Sequence, residues 1–576
     1  MTEEPTLREA CQGTPPLSAR LEPWMQELLA DPATCSSLLE RYGSPLNVHD
    51  FSALPRNAAE LTEVAEASGV ELRIFVARKA NKTLGMVRAA HRAGLGVDVG
   101  SERELAQVLE AGVPPHDVVV TAAIKPDPVL RLALKSRSLL VLDNLDEVAA
   151  SRRVAEQVTG APSAEPGRPA DRASDAPGPF PVALRLAPKP SDLIPPTRFG
   201  ESARTWLELI DSGGLGDLLR VDGVHFHLHG YDPIARATAL GEALELIDAL
   251  RERGLAQDGA FVDIGGGIPM SYLDDAGQWD TFWHAHDRQA SASGPGGGDR
   301  AADDDRPATA PDAGEDAPDA GGDAPAAPLT WRGEPLRQVY PYHQQVIRGP
   351  WLKRLLGHEI RPGTAAGQAL REREVQLRCE PGRSMMDGCG MTLARVIQRT
   401  SASDGVPLVG LEMNRTQCRS TSDDFLVDPI LVRTGTRDDA TDPSVAGAGQ
   451  SRASERFEGF LVGAYCIEAE LILRRRLAFP QGVAVGDVIA LPNTAGYLMH
   501  ILESASHQIP LASNVERVGG GEAGGSGGDR PSAEVADRSS TVGADRSSTA
   551  VEGSDPRPDV PGFKRDGIDR VLPIRA

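Results

Sequence analysis

Short apolar segments alternate with amphipathic segments along the first two-thirds of this 576-residue chain. The amphipathic stretches, such as residues 102–111 and 237–253, repeat their apolar positions with the 3.6-residue period of a helix. The apolar segments have the length of strands, and eight of them alternating with helices predict an α/β fold, a (β/α)8 TIM barrel. The predicted strands are residues 72–77, 96–99, 117–121, 139–143, 182–186, 221–228, 260–264 and 375–379.

Beyond residue 391 the pattern changes to short strands separated by glycine and proline. This change predicts a second, all-β domain built as a β-barrel or β-sandwich. A further strand at residues 45–50 precedes the barrel, and we expect it to pair with the β-domain. The predicted strands of this domain are residues 392–398, 407–411, 457–465, 487–490 and 498–502.

Four segments are rich in Gly, Ala, Pro, Ser and Asp, and they lack the apolar content that offsets the entropy of ordering. We expect them to be disordered inserts, at residues 161–178, 288–328, 436–455 and 519–561. The resulting plan is an N-terminal extension (1–35), a strand contributed to the β-domain (36–50), the barrel (51–390), the β-domain (391–515) and a final strand (562–576).

Charge and composition disfavour several classes of partner. The net charge of −22 argues against nucleic acid and anionic membrane surfaces. No run approaches the ~18 apolar residues of a membrane helix, and the start of the chain lacks the hydrophobic core of a signal peptide. The six cysteines have no paired spacing, so we expect a reduced, cytoplasmic protein.

Lys79 is the first candidate for chemistry. It follows the predicted strand at 72–77, at the face where barrel enzymes build their active sites. Because burial penalises a charged ammonium, we expect a lowered pKa for Lys79 and hence a nucleophilic amine that can form a Schiff base. A lysine at a strand end also commonly extends its amine to solvent, and the residue alone does not decide between these readings.

Further motifs follow Lys79 in order along the chain. Gly265, Gly266 and Gly267 lie at a strand-to-helix junction, where backbone N–H groups can bind a phosphate. His225, His227 and His229 alternate along one strand, so a zinc site is an alternative there, but no cysteine or second cluster supplies a fourth ligand and we expect no metal. The other motifs are Glu380-Pro381-Gly382-Arg383, and Cys466 followed by Ala495-Gly496-Tyr497.

Taken together, these motifs resemble the fold-type III pyridoxal 5'-phosphate (PLP) decarboxylases of ornithine, diaminopimelate and arginine, over about residues 39–499. The resemblance implies a barrel of the alanine-racemase type followed by a β-domain. It also implies PLP as the cofactor, an amino acid as the substrate, and a homodimer with shared active sites.

The resemblance assigns a role to each motif. Lys79 holds PLP as a Schiff base, His227 stacks on the cofactor, and Gly265, Gly266, Gly267, Arg383 and Tyr497 bind its phosphate. Glu380 keeps the pyridine nitrogen protonated, because a carboxylate favours the positive form of the ring and so maintains the electron sink. Cys466 reaches into the partner's site and returns a proton after CO₂ leaves. Asp428 and Glu470 correspond to acids that bind the substrate.

Two of the departures from the family pattern bear on the binding of phosphate and substrate. The family reads His-x-Gly-Ser, whereas this chain continues from His227 with Leu228-His229-Gly230, so the phosphate-binding serine is missing. The family also places an acid directly after the cysteine, and this chain has Ile467 there.

The sequence therefore predicts PLP-dependent decarboxylation of an amino acid, with a diamino acid as a candidate substrate. Two alternatives remain open. An amino-acid racemase of the same fold would place an arginine rather than a carboxylate at the ring nitrogen, which Glu380 argues against. A PLP-binding regulator without activity would not need Lys79, Glu380, Arg383, Cys466 and Tyr497 together.

Overall fold

The computed structural model describes residues 7–160, 178–292, 327–336, 339–420, 425–434, 455–518 and 557–570. The segments predicted to be disordered inserts lie largely outside these ranges, although residues 288–292 belong to a helix. Residues 571–576 of the predicted final strand also lie outside them.

The chain begins with elements that precede the barrel. A short strand and two helices lead to a buried strand, and a third helix then leads into the barrel. In order, these elements are β1 (Gln12–Gly13), α1 (Pro23–Leu29), α2 (Pro32–Tyr42), β2 (Leu46–His49) and α3 (Ala53–Ala67).

Eight parallel strands close into a barrel, which confirms the predicted fold. The last strand pairs with both the seventh and the first, with Leu377 opposite Leu72 at the closure. The barrel strands are β3 (Leu72–Ala77), β4 (Gly96–Val99), β5 (Val118–Val120), β6 (Leu139–Leu142), β7 (Phe180–Arg185), β8 (Leu219–His225), β9 (Phe261–Asp263) and, after the short hairpin β10 (Glu359–Arg361) and β11 (Thr364–Ala365), β12 (Gln376–Cys379).

Helices fill the connections between successive strands. Most bury their apolar faces against the outside of the barrel, whereas the helix after β9 packs Trp279 and Phe282 against residues of the β-domain. Several begin with a side chain that caps the first turn, as Thr83 and Ser101 do by accepting the N–H groups of Met86 and Glu104. The helices are α4 (Leu84–Arg92), α5 (Glu102–Glu110), α6 (Asp127–Ser136), α7 (Leu145–Thr159), α8 (Ala203–Asp211), α9 (Pro233–Glu252), α10 (Ala276–Ala292), α11 (Arg348–Gly357) and α12 (Ala366–Glu372).

The barrel interior changes from apolar to polar toward the carboxyl ends of the strands. A Cβ added to Gly96 would lie 2.3 Å from the ring of Phe75, and one added to Gly223 would lie 2.7 Å from the ring of Phe261, so these glycines make room for two filling aromatic rings. Because side chains two apart share a face, the next interior positions lie above this layer. They carry Asp98, His225 and Asp263.

The β-domain is a ten-stranded sheet that draws on both ends of the chain. Its longest strand, β13, pairs with β2, with β14 and with β18. Near the C-terminus, β20 pairs antiparallel with β19. The strands after the barrel are β13 (Gly390–Ser401), β14 (Pro407–Leu411), β15 (Ile430–Val432), β16 (Phe457–Val462), β17 (Leu477–Phe479), β18 (Val488–Pro492), β19 (Ser513–Arg517) and β20 (Phe563–Arg565).

The strand predicted at residues 498–502 is wrong. Residues 493–500 form consecutive turns instead. Asn493 and Tyr497 have φ angles of 57° and 73°, in the left-handed region that an extended strand does not use. The apolar residues Leu498 and Met499 are buried by packing between the domains, which accounts for their strand-like composition.

No helix within the described ranges is both long enough and apolar enough to cross a membrane.

Candidate active site

A cavity of about 410 Å³ opens at the carboxyl ends of the barrel strands. Its walls come from several different strands, which is the usual construction of an active site in this fold. Among the residues that line it are Lys79, Thr121, Arg185, His225, His227 and Glu380.

Lys79 projects into this cavity and forms an ion pair with Asp98. Its Nζ atom lies 3.2 Å from Oδ2 of Asp98, whose own side chain is buried. The Asp98 carboxylate is the main reason that the pKa of Lys79 is raised above its ordinary value, against the opposing effect of burial. The expectation that burial lowers this pKa is therefore wrong: the amine is held as an ammonium by a carboxylate that sequence reasoning did not identify.

Glu380 lies at the end of β12 and belongs to a buried cluster with His225 and Asp263. Candidate ligand atoms of these three side chains all lie within 4.8 Å of one another. Burial, reinforced by Asp98, raises the pKa of Glu380 to about 8, and burial together with Glu380 raises the pKa of Asp263 to about 7. Burial and the nearby Arg185 lower the pKa of His225 to about 3. The cluster therefore favours neutral forms and resists the accumulation of negative charge.

One oxygen of Glu380 has an unused hydrogen-bonding capacity. Oε1 lies 3.2 Å from Nε2 of His225, but neither atom makes a hydrogen bond within the described part of the chain. A buried acceptor without a donor is costly. Since Glu380 lines the cavity, a ligand that brings a charged N–H group to this oxygen would satisfy it.

The alternating histidines do not form a cluster. His225 faces Glu380, whereas Nδ1 of His227 accepts a hydrogen bond from the N–H of Gly266 at 3.2 Å. Burial, with the charge of Lys79, lowers the pKa of His227 well below its ordinary value, so its ring is neutral. The side chain of His229 is exposed. The proposed three-histidine zinc arrangement thus does not match the observed placement of these side chains.

The glycine triplet packs tightly against its surroundings. Gly265 and Gly267 have φ angles of 66° and 82°, in the region that glycine adopts without strain. A Cβ at Gly265 would lie 2.7 Å from Nδ1 of His227. The carbonyl of Gly265 also accepts the N–H of Glu380 at 2.9 Å, which joins the triplet to the end of β12.

Arg383 and Tyr497 lie together at the border between the barrel and the β-domain. The Tyr497 N–H donates to the carbonyl of Ala80 at 2.8 Å, next to Lys79, and a Cβ on Gly382 would lie 2.5 Å from the Tyr497 hydroxyl. The Arg383 guanidinium stacks over Tyr340 and donates hydrogen bonds to the Tyr272 hydroxyl and to Oγ of Ser420, at 2.8 and 3.0 Å. Its donors are thus engaged by uncharged groups.

Of the predicted site residues, Lys79, His227 and Glu380 line the cavity, while the glycine triplet, Arg383 and Tyr497 adjoin residues at its wall. The remaining three have other contacts in this protomer. Asp428 is buried, pairs with Arg475 at 2.8 Å and accepts the N–H groups of Gly13 and Leu17, so it holds the N-terminal segment on the β-domain. Glu470 is buried and accepts the N–H of Arg415 at 2.8 Å. Cys466 lies on an exposed turn as a free thiol. The predicted roles of these three residues remain predictions.

The sequence patterns identified neither Asp98 nor Arg185 as a site residue. Asp98 is the one carboxylate inside the apolar strand β4, and a charged residue near the carboxyl end of a barrel strand is the signal that identifies it. Arg185 ends β7, lines the cavity, donates to Oδ1 of Asp143 at 3.0 Å and stacks over Phe199.

Comparisons with known proteins found similar sequences and structures. Residues 58–290 match the family model described as pyridoxal-dependent decarboxylase, pyridoxal binding domain. An uncharacterized protein of Sinorhizobium fredii is 28% identical over 82% of this chain and 87% of its own length. The diaminopimelate decarboxylase of Zymomonas mobilis is 27% identical over 41% of this chain, and the match spans about half of that enzyme, 54%.

Solved structures extend the likeness in fold to both domains. Diaminopimelate decarboxylase from M. jannaschii, solved with L-lysine, aligns over 84% of this chain and 88% of its own, with a TM-score of 0.57 and 16% identity. Lysine/ornithine decarboxylase from Vibrio vulnificus, solved with putrescine, covers 86% of this chain and 99% of its own, with a TM-score of 0.53 and 16% identity. Residues 58–290 thus match the pyridoxal-binding domain of the pyridoxal-dependent decarboxylases, and the chain shares its fold with the solved diaminopimelate and lysine/ornithine decarboxylases.

Proposed function

We propose that this protein removes the α-carboxylate of an amino acid, with PLP held at Lys79, and that its substrate is a diamino acid. The observation that carries the proposal is Glu380, a buried carboxylate in the same cavity as Lys79. The relatives named as diaminopimelate decarboxylases, and the fold shared with lysine/ornithine decarboxylase, support the reaction class and the type of substrate.

The residues around the cavity fit the cofactor. Lys79 supplies the amine, and Oε1 of Glu380 is a buried acceptor that a protonated ring nitrogen would satisfy. The neutral ring of His227 lies beside the glycine triplet. The N–H groups of Gly265 and Gly266 donate to Asp263 and His227, so the N–H of Gly267 is the one that remains for a phosphate. Arg383 and Tyr497 adjoin the Lys79 turn and add a positive charge and a hydroxyl.

The chemistry divides between cofactor and protein. When bound, PLP supplies an electron sink for the electron pair left by departing CO₂. Glu380 would keep the ring nitrogen protonated, and the protonated ring is the form that accepts this electron pair best. Asp98 accepts a hydrogen bond from Lys79 and so controls when the amine carries its proton. The exposed Cys466 delivers a proton to the site of the partner in a homodimer.

The two alternatives make different demands on the same residues. A racemase weakens the electron sink by placing a guanidinium at the ring nitrogen, whereas this cavity presents the Glu380 carboxylate. A regulator that only binds the cofactor has no use for an accessible thiol at Cys466 or for the Lys79–Asp98 ion pair. Each alternative predicts a different result when CO₂ release is measured.

The test is CO₂ release from a panel of amino acids that includes lysine, ornithine and diaminopimelate, using PLP-loaded protein. Lys79→Ala should abolish release, while the matched control Lys82→Ala should retain it, because Nζ of Lys82 binds the carbonyl of His500 instead of entering the cavity. Loss of optical activity without CO₂ would identify a racemase. Bound PLP with neither reaction would identify a regulator.

A further inference from the structure

A buried arginine lies directly behind the glycine triplet. Arg236, in the first turn of α9, is fully buried. Its guanidinium packs against the backbone of Gly267 so closely that a Cβ there would lie 1.8 Å from Nη2. A side chain at position 267 would therefore displace the arginine. Position 267 thus requires glycine for packing as well as for its positive φ.

The donors of Arg236 all go to backbone carbonyls. Nη2 donates to Leu228 and Gly230 at 2.9 and 2.8 Å, Nε donates to Gly266 at 3.2 Å, and Nη1 contacts the carbonyl of Asp232 at 3.4 Å. One side chain thus joins the loop after β8 to the loop after β9. Gly230 stands where the related decarboxylases have their phosphate-binding serine.

These hydrogen bonds also fix the direction of two backbone N–H groups. In a trans peptide the C=O and the following N–H point in opposite directions. Holding the carbonyls of Leu228 and Gly266 toward Arg236 therefore turns the N–H groups of His229 and Gly267 away from it. Neither N–H donates a hydrogen bond to another residue of the described chain.

The charge of Arg236 also lacks an ion-paired partner, and the Asp232 carboxylate acts on it only from beyond ion-pair distance. Its hydrogen bonds go to neutral carbonyls, and no carboxylate of the described residues forms an ion pair with it. Burial lowers the pKa of Arg236 to about 10, so the guanidinium is still charged at neutral pH. A buried, unpaired cation is costly, and an anion nearby offsets that cost.

We propose that Arg236 is a positioning residue for the phosphate end of the cofactor, replacing the missing serine by orienting the N–H groups of both loops and by placing a positive charge behind them. The inference rests on PLP being the cofactor of the proposed function, but it does not depend on which reaction the protein performs. It concerns the phosphate rather than the ring, so a change at Arg236 should affect the binding of a cofactor that carries the phosphate more than the binding of one that lacks it.

The experiment compares the dissociation constants of PLP and of pyridoxal, which lacks the phosphate, by titration of cofactor absorbance. Arg236→Met should weaken PLP binding by about 10-fold to 100-fold, in line with the loss of charge-assisted contacts, and change pyridoxal binding by less than about 3-fold. Arg236→Lys keeps the charge but loses the bridge between the loops, so its dissociation constant for PLP should lie between those of the wild type and Arg236→Met.

The matched control is Arg251→Met, which removes another arginine of α9 that bonds only backbone carbonyls, those of Ala256 and Arg373. It should leave both constants unchanged. If Arg236→Met does not fold, Arg236→Lys takes its place, together with competition by inorganic phosphate, which should displace PLP less effectively from the variant than from the wild type.

Equal weakening of PLP and pyridoxal would assign Arg236 a purely structural role and overturn the inference, as would no change in either constant. A selective loss of PLP affinity in a protein that never releases CO₂ would support Arg236 while refuting the decarboxylase. A wild-type protein that binds neither compound would refute the cofactor assignment and this inference together.

Discussion

Nζ of Lys79 and Oδ2 of Asp98 lie 3.2 Å apart, and this pairing determines the protonation state in which the apoprotein meets its cofactor. The Asp98 carboxylate is itself fixed, because it also accepts a hydrogen bond from Oγ1 of Thr121. Asp98 lies in β4, and Lys79 follows the end of the neighbouring parallel strand β3. The lysine is therefore held in place, but it must lose a proton before its amine can react with an aldehyde.

Asp98→Asn should make Lys79 reactive at lower pH. Asp98 is the largest cause of the raised pKa of Lys79, and with its charge removed burial opposes only the smaller effects of Tyr497 and Glu380, so the pKa should fall. We expect the pH profile for cofactor capture by the apoprotein to move down by about one unit or more. The measurement is the rate at which the absorbance of bound PLP appears at a series of pH values. A profile that does not move would show that Asp98 does not control the amine.

The sequence predicted the barrel well because its signals are local. Most barrel strands are compact apolar runs, and a strand's end identifies the face on which Lys79 and Glu380 lie. The pKa of Lys79 could not be predicted, because its sign depends on Asp98, which is 19 residues away and carries no motif. The role of Arg236 depends on carbonyls from two loops, and backbone atoms leave no trace in the pattern of side chains.

The strand prediction at residues 498–502 failed for the opposite reason, because there the local signal was misleading. Their apolar composition is that of a strand, but Tyr497 adopts a left-handed backbone and bonds Ala80 of the barrel. The contact with the other domain overrides the local preference. The same contact brings the Tyr497 side chain to Arg383, with the guanidinium 5.1 Å from the ring centre.

Glu380 should make the stability of the apoprotein depend on pH. Its pKa is raised by burial from 4.5 to about 8, so between these values the folded state holds a proton that the unfolded state has lost. The free energy of unfolding should therefore fall as pH rises through this window, by at most about 1.4 kcal/mol per pH unit for one proton. Glu380→Gln should remove this part of the slope.

The measurement is urea unfolding of the apoprotein at several pH values across that window, with Glu359→Gln, an exposed acid on β10, as the control. The control should keep the wild-type slope. A Glu380→Gln slope equal to that of the wild type would contradict the raised pKa of Glu380.

Ile467→Glu should increase activity toward basic amino acids. Ile467 occupies the position after Cys466 where related decarboxylases carry an acid, and it lies on an exposed turn with 46% of its surface accessible. A carboxylate there would pair with the distal amine of the substrate, and we expect about a 10-fold higher kcat/KM for lysine or ornithine. Ile397→Glu, at a β13 isoleucine that is 45% exposed, is a control of matched exposure and should have no such effect. If the two variants behave alike, position 467 does not contribute to specificity.

Cys466 should act in the partner's active site, and mixing two inactive variants tests this directly. The thiol is exposed on the turn between β16 and β17 and does not line the cavity of its own protomer. If each site combines Lys79 of one subunit with Cys466 of the other, a heterodimer of Lys79→Ala and Cys466→Ala contains one intact site and one that lacks both groups. Random exchange makes half of the dimers mixed, so activity should return to about a quarter of the wild-type value.

The measurement is CO₂ release before and after dissociation and re-association of an equal mixture, with each variant alone as the control. Activity that stays at the level of the separate variants, in a mixture shown to contain heterodimers, would place both residues in the same subunit's site or remove Cys466 from the reaction.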